Sequence, residues 1–244
     1  MSVFCIDIET TGTNINRDVP VQISLSDSSG STVYNTYCDP GDIRMTREAY
    51  DVHGIGEEQY RGKISYTAAA AEVAEIILDT AYWRLDPVLV GHNISTFDLP
   101  ILNRIYPSSA WTNSLVFDTY HAFMRDVCND HSKEFPSDWK LARLYQYYTG
   151  KEMAEDGAHD SSYDTVCCFE AAKVMVGGEE YERFRARATI MGYPSKLTRW
   201  PWGKYRGRDS DKIPFGYANY FSRMKDLPAD VERTVRHRLC QQHV

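Results

Sequence analysis

The stretch Asp7-Ile8-Glu9-Thr10-Thr11-Gly12 decides which fold this chain is expected to adopt. It continues residues 3–8, a short apolar run rich in β-forming residues that predicts a buried strand. Because side chains alternate across a strand, Asp7 and Glu9 are expected on one face. Most such acidic pairs lie on a solvated face, but two buried carboxylates require a compensating cation. A divalent metal ion that prefers oxygen ligands is therefore the expected partner.

The composition fits one large domain, or an ordinary domain with a small appendage, in a chain of 244 residues. The formal net charge of −7 is unevenly distributed, because residues 195–244 carry eleven Lys and Arg against five Asp and Glu. The acidic remainder suits divalent metals, and the basic tail suits a polyanion such as nucleic acid. The alternative is a solvated charge asymmetry without a partner.

The cysteines and the N-terminus indicate the compartment. None of the six cysteines forms a Cys-x-x-Cys pair, which argues against a zinc ribbon and favours reduced thiols. No apolar run reaches the roughly 20 residues of a membrane span, and the start lacks the basic and apolar regions of a secretory signal. We expect a cytoplasmic protein of a bacterial or phage-infected cell.

The order of the elements predicts an α/β fold. Residues 19–27 and 32–38 alternate as strands around a Ser28-Ser29-Gly30 turn, and residues 88–90 and 114–118 predict two more. Helical spacing predicts helices at 67–83, 99–106, 137–150 with Ser137 as cap and Gly150 as stop, 160–176, and 179–187. These elements predict a mixed five-stranded sheet flanked by helices. A composition shift predicts a main domain over residues 1–190 and a small basic, aromatic-rich module over residues 195–244.

Two later motifs add a carboxylate each. The stretch His92-Asn93-Ile94-Ser95-Thr96-Phe97-Asp98 places Asp98 after a predicted strand, and its histidine is expected to close a turn. His159 lies five residues before Asp164, a spacing that is usually structural when it stands alone. Asp160, the rival carboxylate, is expected to cap the following helix.

In this order the three motifs resemble the DEDD exonucleases, the family of proofreading exonucleases, ribonuclease T and oligoribonuclease. The histidine at position 159 matches the DEDDh branch, since the other branch carries Tyr where this chain has Asp160. One departure is that the loop before Asp98 is one residue longer than in many members. Residues 52–55 (Val-His-Gly-Ile) and the pair Asp118-Thr119 also match family segments, although both could be structural.

The resemblance implies a ribonuclease H-like fold and a catalytic set of Asp7, Glu9, Asp98, His159 and Asp164. It implies two divalent cations, Mg²⁺ with Mn²⁺ as a substitute, held by the four carboxylates, with Asp7 bridging both ions. Glu9 and Asp164 would complete the coordination of one ion, and Asp98 would support the site. His159 would take the proton from the attacking water. The implied products are nucleoside 5′-monophosphates released from a 3′ end. Substrate contacts are expected from Thr10, Thr11, Gly12, His53, Asn93, Lys204 and Arg206.

The tail carries Trp202-Gly203-Lys204-Tyr205-Arg206-Gly207, which resembles the Phe-Gly-Lys-Tyr-Arg-Gly module with Trp202 in place of Phe. That module also ends exonucleases of the exodeoxyribonuclease X type, which favours DNA over RNA as substrate. Basic residues interleaved with aromatic ones suit backbone binding and base stacking. We favour a mini-core with a basic face, because a segment this short needs most of its aromatics for packing.

The leading hypothesis is a DNA 3′→5′ exonuclease acting on single-stranded 3′ ends, with duplex DNA left open. The alternatives are a proofreading subunit docked on a polymerase, an RNA-processing 3′ exoribonuclease, and a non-catalytic binding protein built on a decayed nuclease. A docking segment should carry exposed apolar anchors, whereas this tail is basic. A decayed nuclease should lack a carboxylate or the histidine, and all five are present.

Overall fold

A five-stranded mixed sheet forms the centre of the computed structural model, which describes residues 3–80, 86–154, 159–191, 195–225 and 227–243. The strand order is β3-β2-β1-β4-β5. β1 runs antiparallel to β2 and parallel to β4, which confirms the predicted mixed α/β sheet. The strands are β1 (Val3–Thr10), β2 (Pro20–Ser26), β3 (Thr32–Tyr37), β4 (Val88–Gly91) and β5 (Leu115–Asp118).

Helices flank this sheet, and those predicted at 99–106 and 160–176 are found within two residues of their predicted ends. The predicted helix at 67–83 is found up to Thr80, and residues 81–85 lie outside the described ranges. In the described part of the chain, none of the helices has the length and apolar character of a membrane span. The helices are α1 (Arg47–His53), α2 (Glu57–Tyr60), α3 (Tyr66–Thr80), α4 (Asp98–Ile105), α5 (Ser109–Thr112), α6 (Thr119–Asn129), α7 (Leu141–Thr149), α8 (Ser161–Val176), α9 (Tyr181–Met191), α10 (Phe215–Phe221) and α11 (Ala229–Cys240), with 3₁₀ turns at Gly203–Tyr205, Ser210–Lys212 and Gln241–His243.

The start of α7 corrects one sequence prediction. Ser137 does not cap this helix, because the N-cap is Lys140, whose backbone is extended with ψ 158°. The physical reason is the buried ring of Trp139, which packs edge-on against Phe123 and Phe135 at centroid distances of 5.1 and 5.3 Å. Gly150 ends the helix in the left-handed conformation, as predicted.

β1 separates two apolar clusters. Phe4, Ile6 and Ile8 pack into the cluster that contains α3 and α4, whereas Val3 and Cys5 pack into the cluster that contains α8. The odd-numbered side chains of β1 therefore face α8. Because of this alternation, the side chains of Asp7 and Glu9 also face α8.

The polar side chains of β2 face α8 rather than solvent. The buried Ser24 and Ser26 hydroxyls lie 2.6 Å from those of Ser161 and Thr165, respectively. The Gln22 side-chain oxygen accepts the backbone N–H of Ser161 at 3.4 Å. Since buried hydrogen-bonding groups are costly to leave unpaired, this row of contacts holds the first turns of α8 against the sheet.

The C-terminal segment shares a core with the rest of the chain. Its buried apolar side chains form one cluster with Phe123, Trp139 and Leu144 of the preceding elements. The expected mini-core is thus not confined to the tail, although the division into residues 1–190 and 195–244 remains a prediction. The tail residues buried in this cluster are Leu197, Trp200, Ile213, Ala218, Phe221, Val231 and Val235.

A buried ion pair fastens α11 to α6. Arg125 Nε and Nη2 donate to the two carboxylate oxygens of Asp230 at 2.7 and 2.8 Å, with side chains 11% and 6% exposed. Asp230 also accepts the backbone N–H of Ser195 at 2.6 Å. Bidentate geometry of this kind fixes orientation as well as distance.

Asp230→Ala is expected to destabilise the folded chain, because it leaves the buried Arg125 guanidinium without this carboxylate. Removing one partner of a buried ion pair costs roughly 3–5 kcal/mol, to be measured by urea denaturation. The matched control is Glu232→Ala on the same helix, whose pair with Arg236 is largely solvent-exposed. That control should change stability by about 1 kcal/mol or less. Equal unfolding midpoints for both variants would show that the buried pair does not fasten the tail.

Candidate active site

A cleft of about 960 Å³ opens where β1 and β4 end. All five residues that the sequence predicted as catalytic line it. The cleft draws on β1, the loop after β4, α6, α7, α8 and the C-terminal segment. Its lining comprises Asp7, Ile8, Glu9, Thr13, His92, Asn93, Thr96, Phe97, Asp98, Tyr120, His121, Trp139, Lys140, Leu141, Ala142, Met153, His159, Asp164, Trp202 and Pro228.

Three of these residues lie close enough to share one ion. Ligand atoms of Glu9, His159 and Asp164 all lie within 4.8 Å of one another. Asp98, at the start of α4, is held against β1, because its Oδ1 accepts the backbone N–H of Ile8 at 3.2 Å. The first strand therefore supplies two carboxylates and anchors a third.

Asp118 organises the loop that precedes Asp98. Its buried carboxylate accepts the backbone N–H groups of Asn93 at 3.1 Å and Ser95 at 3.0 Å, and it also caps α6. Asn93 has a left-handed backbone with φ 66°, a conformation that Asn tolerates better than most residues. These bonds fix the loop, and α4 begins after it at Asp98.

His159 also has a left-handed backbone, with φ 67°. Such a conformation costs roughly 1–3 kcal/mol in a residue other than glycine and is concentrated at functional sites. The backbone N–H of His159 donates to the Asp164 carboxylate, which ties the histidine to α8. The side chain of Asp160 accepts the N–H of Ser162 at 2.9 Å and caps α8, as predicted.

Burial raises the pKa values of all four carboxyl groups, and repulsion from neighbouring carboxylates raises them further. Burial, followed by repulsion from Asp98, Glu9 and Asp164, holds the pKa of Asp7 well above its usual range. Burial, followed by repulsion from Asp164, raises the pKa of Glu9 to about 9. Burial is also the main cause that raises the pKa of Asp98 and of Asp164 to about 7. The site therefore favours any ligand that brings positive charge.

The donor set fits a divalent cation. It offers carboxylate oxygens with one imidazole, which suits hard or borderline divalent ions. Asp164 Oδ1 is buried and has no hydrogen-bond partner among the described residues, although such atoms are normally paired. A cation bound beside Glu9 would satisfy this oxygen and offset the crowded negative charge.

The hydroxyl groups after β1 hold the turn together. Thr11 Oγ1 accepts the backbone N–H of Val19 at 3.1 Å, and the Thr10 hydroxyl donates to the Gly12 carbonyl at 2.7 Å. A Cβ at Gly12 would lie 2.4 Å from Asp18 Oδ2, so only glycine fits. The predicted substrate contacts of this turn remain predictions.

His53 fastens α1 to the end of β1. The Ile55 backbone N–H donates to Nδ1 at 3.0 Å, so Nε2 carries the proton and donates to the Thr10 carbonyl at 3.1 Å. Burial is the main cause that lowers the pKa of His53, which keeps this ring neutral at pH 7. Among the described residues, neither His53 nor the predicted Lys204 and Arg206 lines the cleft. Their substrate contacts remain predictions.

The sequence did not predict that several other residues would line the cleft. Lys140 is the only lysine or arginine in the described lining, and it was expected inside a helix rather than at its cap. Tyr120, Trp139 and Trp202 add aromatic surface, and each comes from a different part of the chain. His92 has the structural role that was expected, because its ring nitrogens lie 3.1 Å from Thr119 Oγ1 and 2.9 Å from the Trp139 carbonyl.

Comparison with known proteins agrees with this geometry. The model of the RNase_T family, described as Exonuclease, matches residues 4–172. No curated protein matches the chain. Solved structures of Escherichia coli exonuclease I share the fold, including the zinc-bound complex with single-stranded DNA (19% identity, TM-score 0.60, covering 78% of this chain and 43% of that one). The complex of exonuclease I with a dA16 oligonucleotide has 21% identity and a TM-score of 0.60, and the match covers 78% of this chain and 43% of that one. The chain thus spans less than half the length of exonuclease I.

The sheet and its helices place the chain in the class of ribonuclease H-like α/β proteins. Within that class, the chain belongs to the RNase_T exonuclease family, whose members use divalent metal ions. The predicted membership of an exonuclease family is thereby confirmed. Residues 195–244 lie outside the family match.

Without a bound cation, the protein is expected to lose stability as pH rises. The pKa values of Glu9 and Asp164 rise from ordinary values of 4.5 and 3.8 to about 9 and about 7 in the folded chain. Below about pH 4 these two groups are protonated in both the folded and the unfolded chain. Above that pH the folded chain retains protons that the unfolded chain has lost, and rising pH therefore favours unfolding. Added Mg²⁺ or Mn²⁺ should restore the melting temperature, and more at pH 8 than at pH 6, because fewer protons must leave.

The control for this prediction is Glu9→Gln, a neutral side chain of nearly the same shape that needs no proton uptake when the chain folds at pH 8. In EDTA at pH 8 this variant should melt at a higher temperature than the unsubstituted chain, and its response to cations should be weaker. Thermal melts in EDTA and in each cation measure both effects. A cation response that is identical at pH 6 and pH 8 would contradict the electrostatic account.

Proposed function

We propose that this chain is a metal-dependent 3′→5′ exodeoxyribonuclease that releases nucleoside 5′-monophosphates from DNA. The observation that carries the proposal is the meeting of Asp7, Glu9, Asp98, Asp164 and His159 in one cleft. The DNA preference is supported by the likeness of the fold to exonuclease I, which has been solved with single-stranded DNA. It is also supported by the basic tail, which resembles that of the exodeoxyribonuclease X type.

The proposed cofactor is a pair of divalent cations, Mg²⁺ with Mn²⁺ as a substitute, held by the four carboxylates. When bound, such ions neutralise charge on a phosphate and lower the pKa of a nearby water molecule. The crowding that raises the carboxyl pKa values supports this assignment, because it makes the cleft a strong acceptor of positive charge. Lys140, at the cap of α7, supplies a positive charge that suits a substrate phosphate.

His159 is the proposed general base. Burial first, and then the positive charge of Lys140, lower the pKa of His159 from its ordinary 6.5. The imidazole is therefore neutral at pH 7 and able to accept a proton from water. Its attachment to Asp164 through the backbone holds the ring beside the carboxylates. This placement suits removal of a proton at the point where a water molecule attacks the phosphodiester.

A panel of labelled substrates tests the reaction, its polarity and its substrate class. Single-stranded DNA, duplex DNA and RNA, each labelled at the 3′ or the 5′ end, are incubated with Mg²⁺ or with EDTA. We expect immediate release of a labelled mononucleotide from 3′-labelled DNA, a shortening ladder from 5′-labelled DNA, and no cleavage in EDTA. Faster degradation of RNA would favour the exoribonuclease, and cleavage in EDTA would overturn the metal-dependent mechanism.

His159→Ala is expected to lower the turnover number by roughly 10²–10⁴-fold while DNA affinity stays near that of the unsubstituted chain, because a general base acts mainly in the transition state. Single-turnover rates and filter binding measure the two quantities. The matched control is His131→Ala, because His131 is exposed and lies outside the cleft lining of the described residues. Unchanged turnover in His159→Ala would refute the assignment.

The same variant distinguishes a base from a metal ligand, a role that the spacing of Glu9, His159 and Asp164 also permits. If His159 is the base, the rise in melting temperature caused by Mn²⁺ should persist in His159→Ala. If it is a ligand, that rise should shrink to the level seen in Glu9→Gln.

A further inference from the structure

Trp202 brings the C-terminal segment to the wall of the active-site cleft. Together with Pro228 it is one of two residues beyond position 195 that line the cleft in the described part of the chain. The cleft has acidic groups along β1 and α8, whereas aromatic rings from α6, the segment before α7 and the tail form other parts of its wall. The structure therefore places a tryptophan from outside the matched family region beside the predicted catalytic residues.

The ring of Trp202 is held by its own neighbours. It stacks on Phe221 with centroids 6.3 Å apart and an interplanar angle of 23°, and it meets Trp200 edge-on at 6.5 Å. Trp202 and Tyr120 both line the cleft. Trp200 is fully buried in the cluster that joins the tail to α6 and α7. These contacts leave Trp202 only partly buried and restrict its orientation.

We propose that Trp202 binds the substrate strand by stacking on one of its nucleobases, so that the C-terminal segment forms part of the active site. This inference rests on the proposed function, since it takes single-stranded DNA as the ligand. The chemistry suits that ligand, because any base presents a π-face and a fixed aromatic ring loses little entropy on stacking. The same cleft holds carboxylates and Lys140, which suit the phosphates of a strand, and aromatic rings, which suit its bases.

The alternative role for Trp202 is packing alone, as an apolar cover over Phe221. Two substitutions separate the roles, because Trp202→Leu keeps apolar volume without a π-face and Trp202→Phe keeps an aromatic ring. The matched control is Tyr220→Ala, which removes an exposed aromatic ring of the same segment that lies outside the described cleft lining. Melting temperatures report whether each variant is folded.

The binding experiment uses the full chain with Mg²⁺ and oligonucleotides whose 3′ linkages are phosphorothioates, which slow hydrolysis. Trp202→Leu should bind roughly ten-fold more weakly than the unsubstituted chain, whereas Trp202→Phe should stay within about three-fold of it. Tyr220→Ala should bind with unchanged affinity. Equal affinity of Trp202→Leu and the unsubstituted chain would overturn the proposal.

A series of oligonucleotides with one abasic residue, moved stepwise from the 3′ end, locates the stacked base. The unsubstituted chain should lose roughly ten-fold in affinity when the abasic residue reaches one particular position. Trp202→Leu should show no additional loss at that position, because the partner of the missing base is already absent. An identical loss in both proteins at every position would assign Trp202 to packing alone.

A crosslinking experiment keeps the test valid if Trp202→Leu does not fold. With 5-iododeoxyuridine at the sensitive position, irradiation of the unsubstituted chain should yield an adduct on the peptide that contains Trp202. An adduct on another peptide would refute the assignment. Failure of the proposed function is distinguishable, because then the unsubstituted chain would not digest DNA at all. Normal digestion with unaffected Trp202 variants would refute only this inference.

Discussion

Crowded negative charge is the constraint on which the rest of this structure depends. Four carboxyl groups share one partly desolvated cleft, where burial, followed by repulsion from Asp164, raises the pKa of Glu9 to about 9. Burial, together with repulsion from Asp118, raises the pKa of Asp98 to about 7. A folded chain tolerates such a cluster only if stable contacts elsewhere hold it and a bound ligand offsets the unfavourable free energy of the buried carboxylates. The same crowded carboxylates that destabilise the metal-free protein therefore give it affinity for cations.

The contacts that hold the cluster are mostly backbone and buried polar ones. Asp98 is fixed by the N–H of Ile8, and the loop before it is fixed by Asp118. On the opposite side, the buried hydroxyls of β2 pair with those of α8, so that the helix carrying Asp164 cannot slide along the sheet. Hydrogen bonds are directional, and they set the positions of charged groups more closely than apolar packing alone.

The C-terminal segment extends this arrangement rather than standing apart from it. Its aromatics complete an apolar cluster begun by α6 and α7, and the Arg125–Asp230 pair fixes α11 against α6. Deleting residues 195–244 would therefore remove part of the core together with any DNA contact. Point substitutions that preserve the fold, such as those at Trp202, are the informative way to study this segment.

Local periodicity and residue spacing were enough to predict several features of the site. Strand alternation placed Asp7 and Glu9 on one face, and helix capping assigned Asp160. The resemblance of three motifs selected Asp98, His159 and Asp164, all of which line the cleft. Three other features became visible only in the folded chain: Lys140 lies at a helix cap, His53 fastens a turn, and Trp202 reaches the cleft. The reason is physical, since these positions depend on contacts between residues distant in sequence, which leave no periodic trace in the chain.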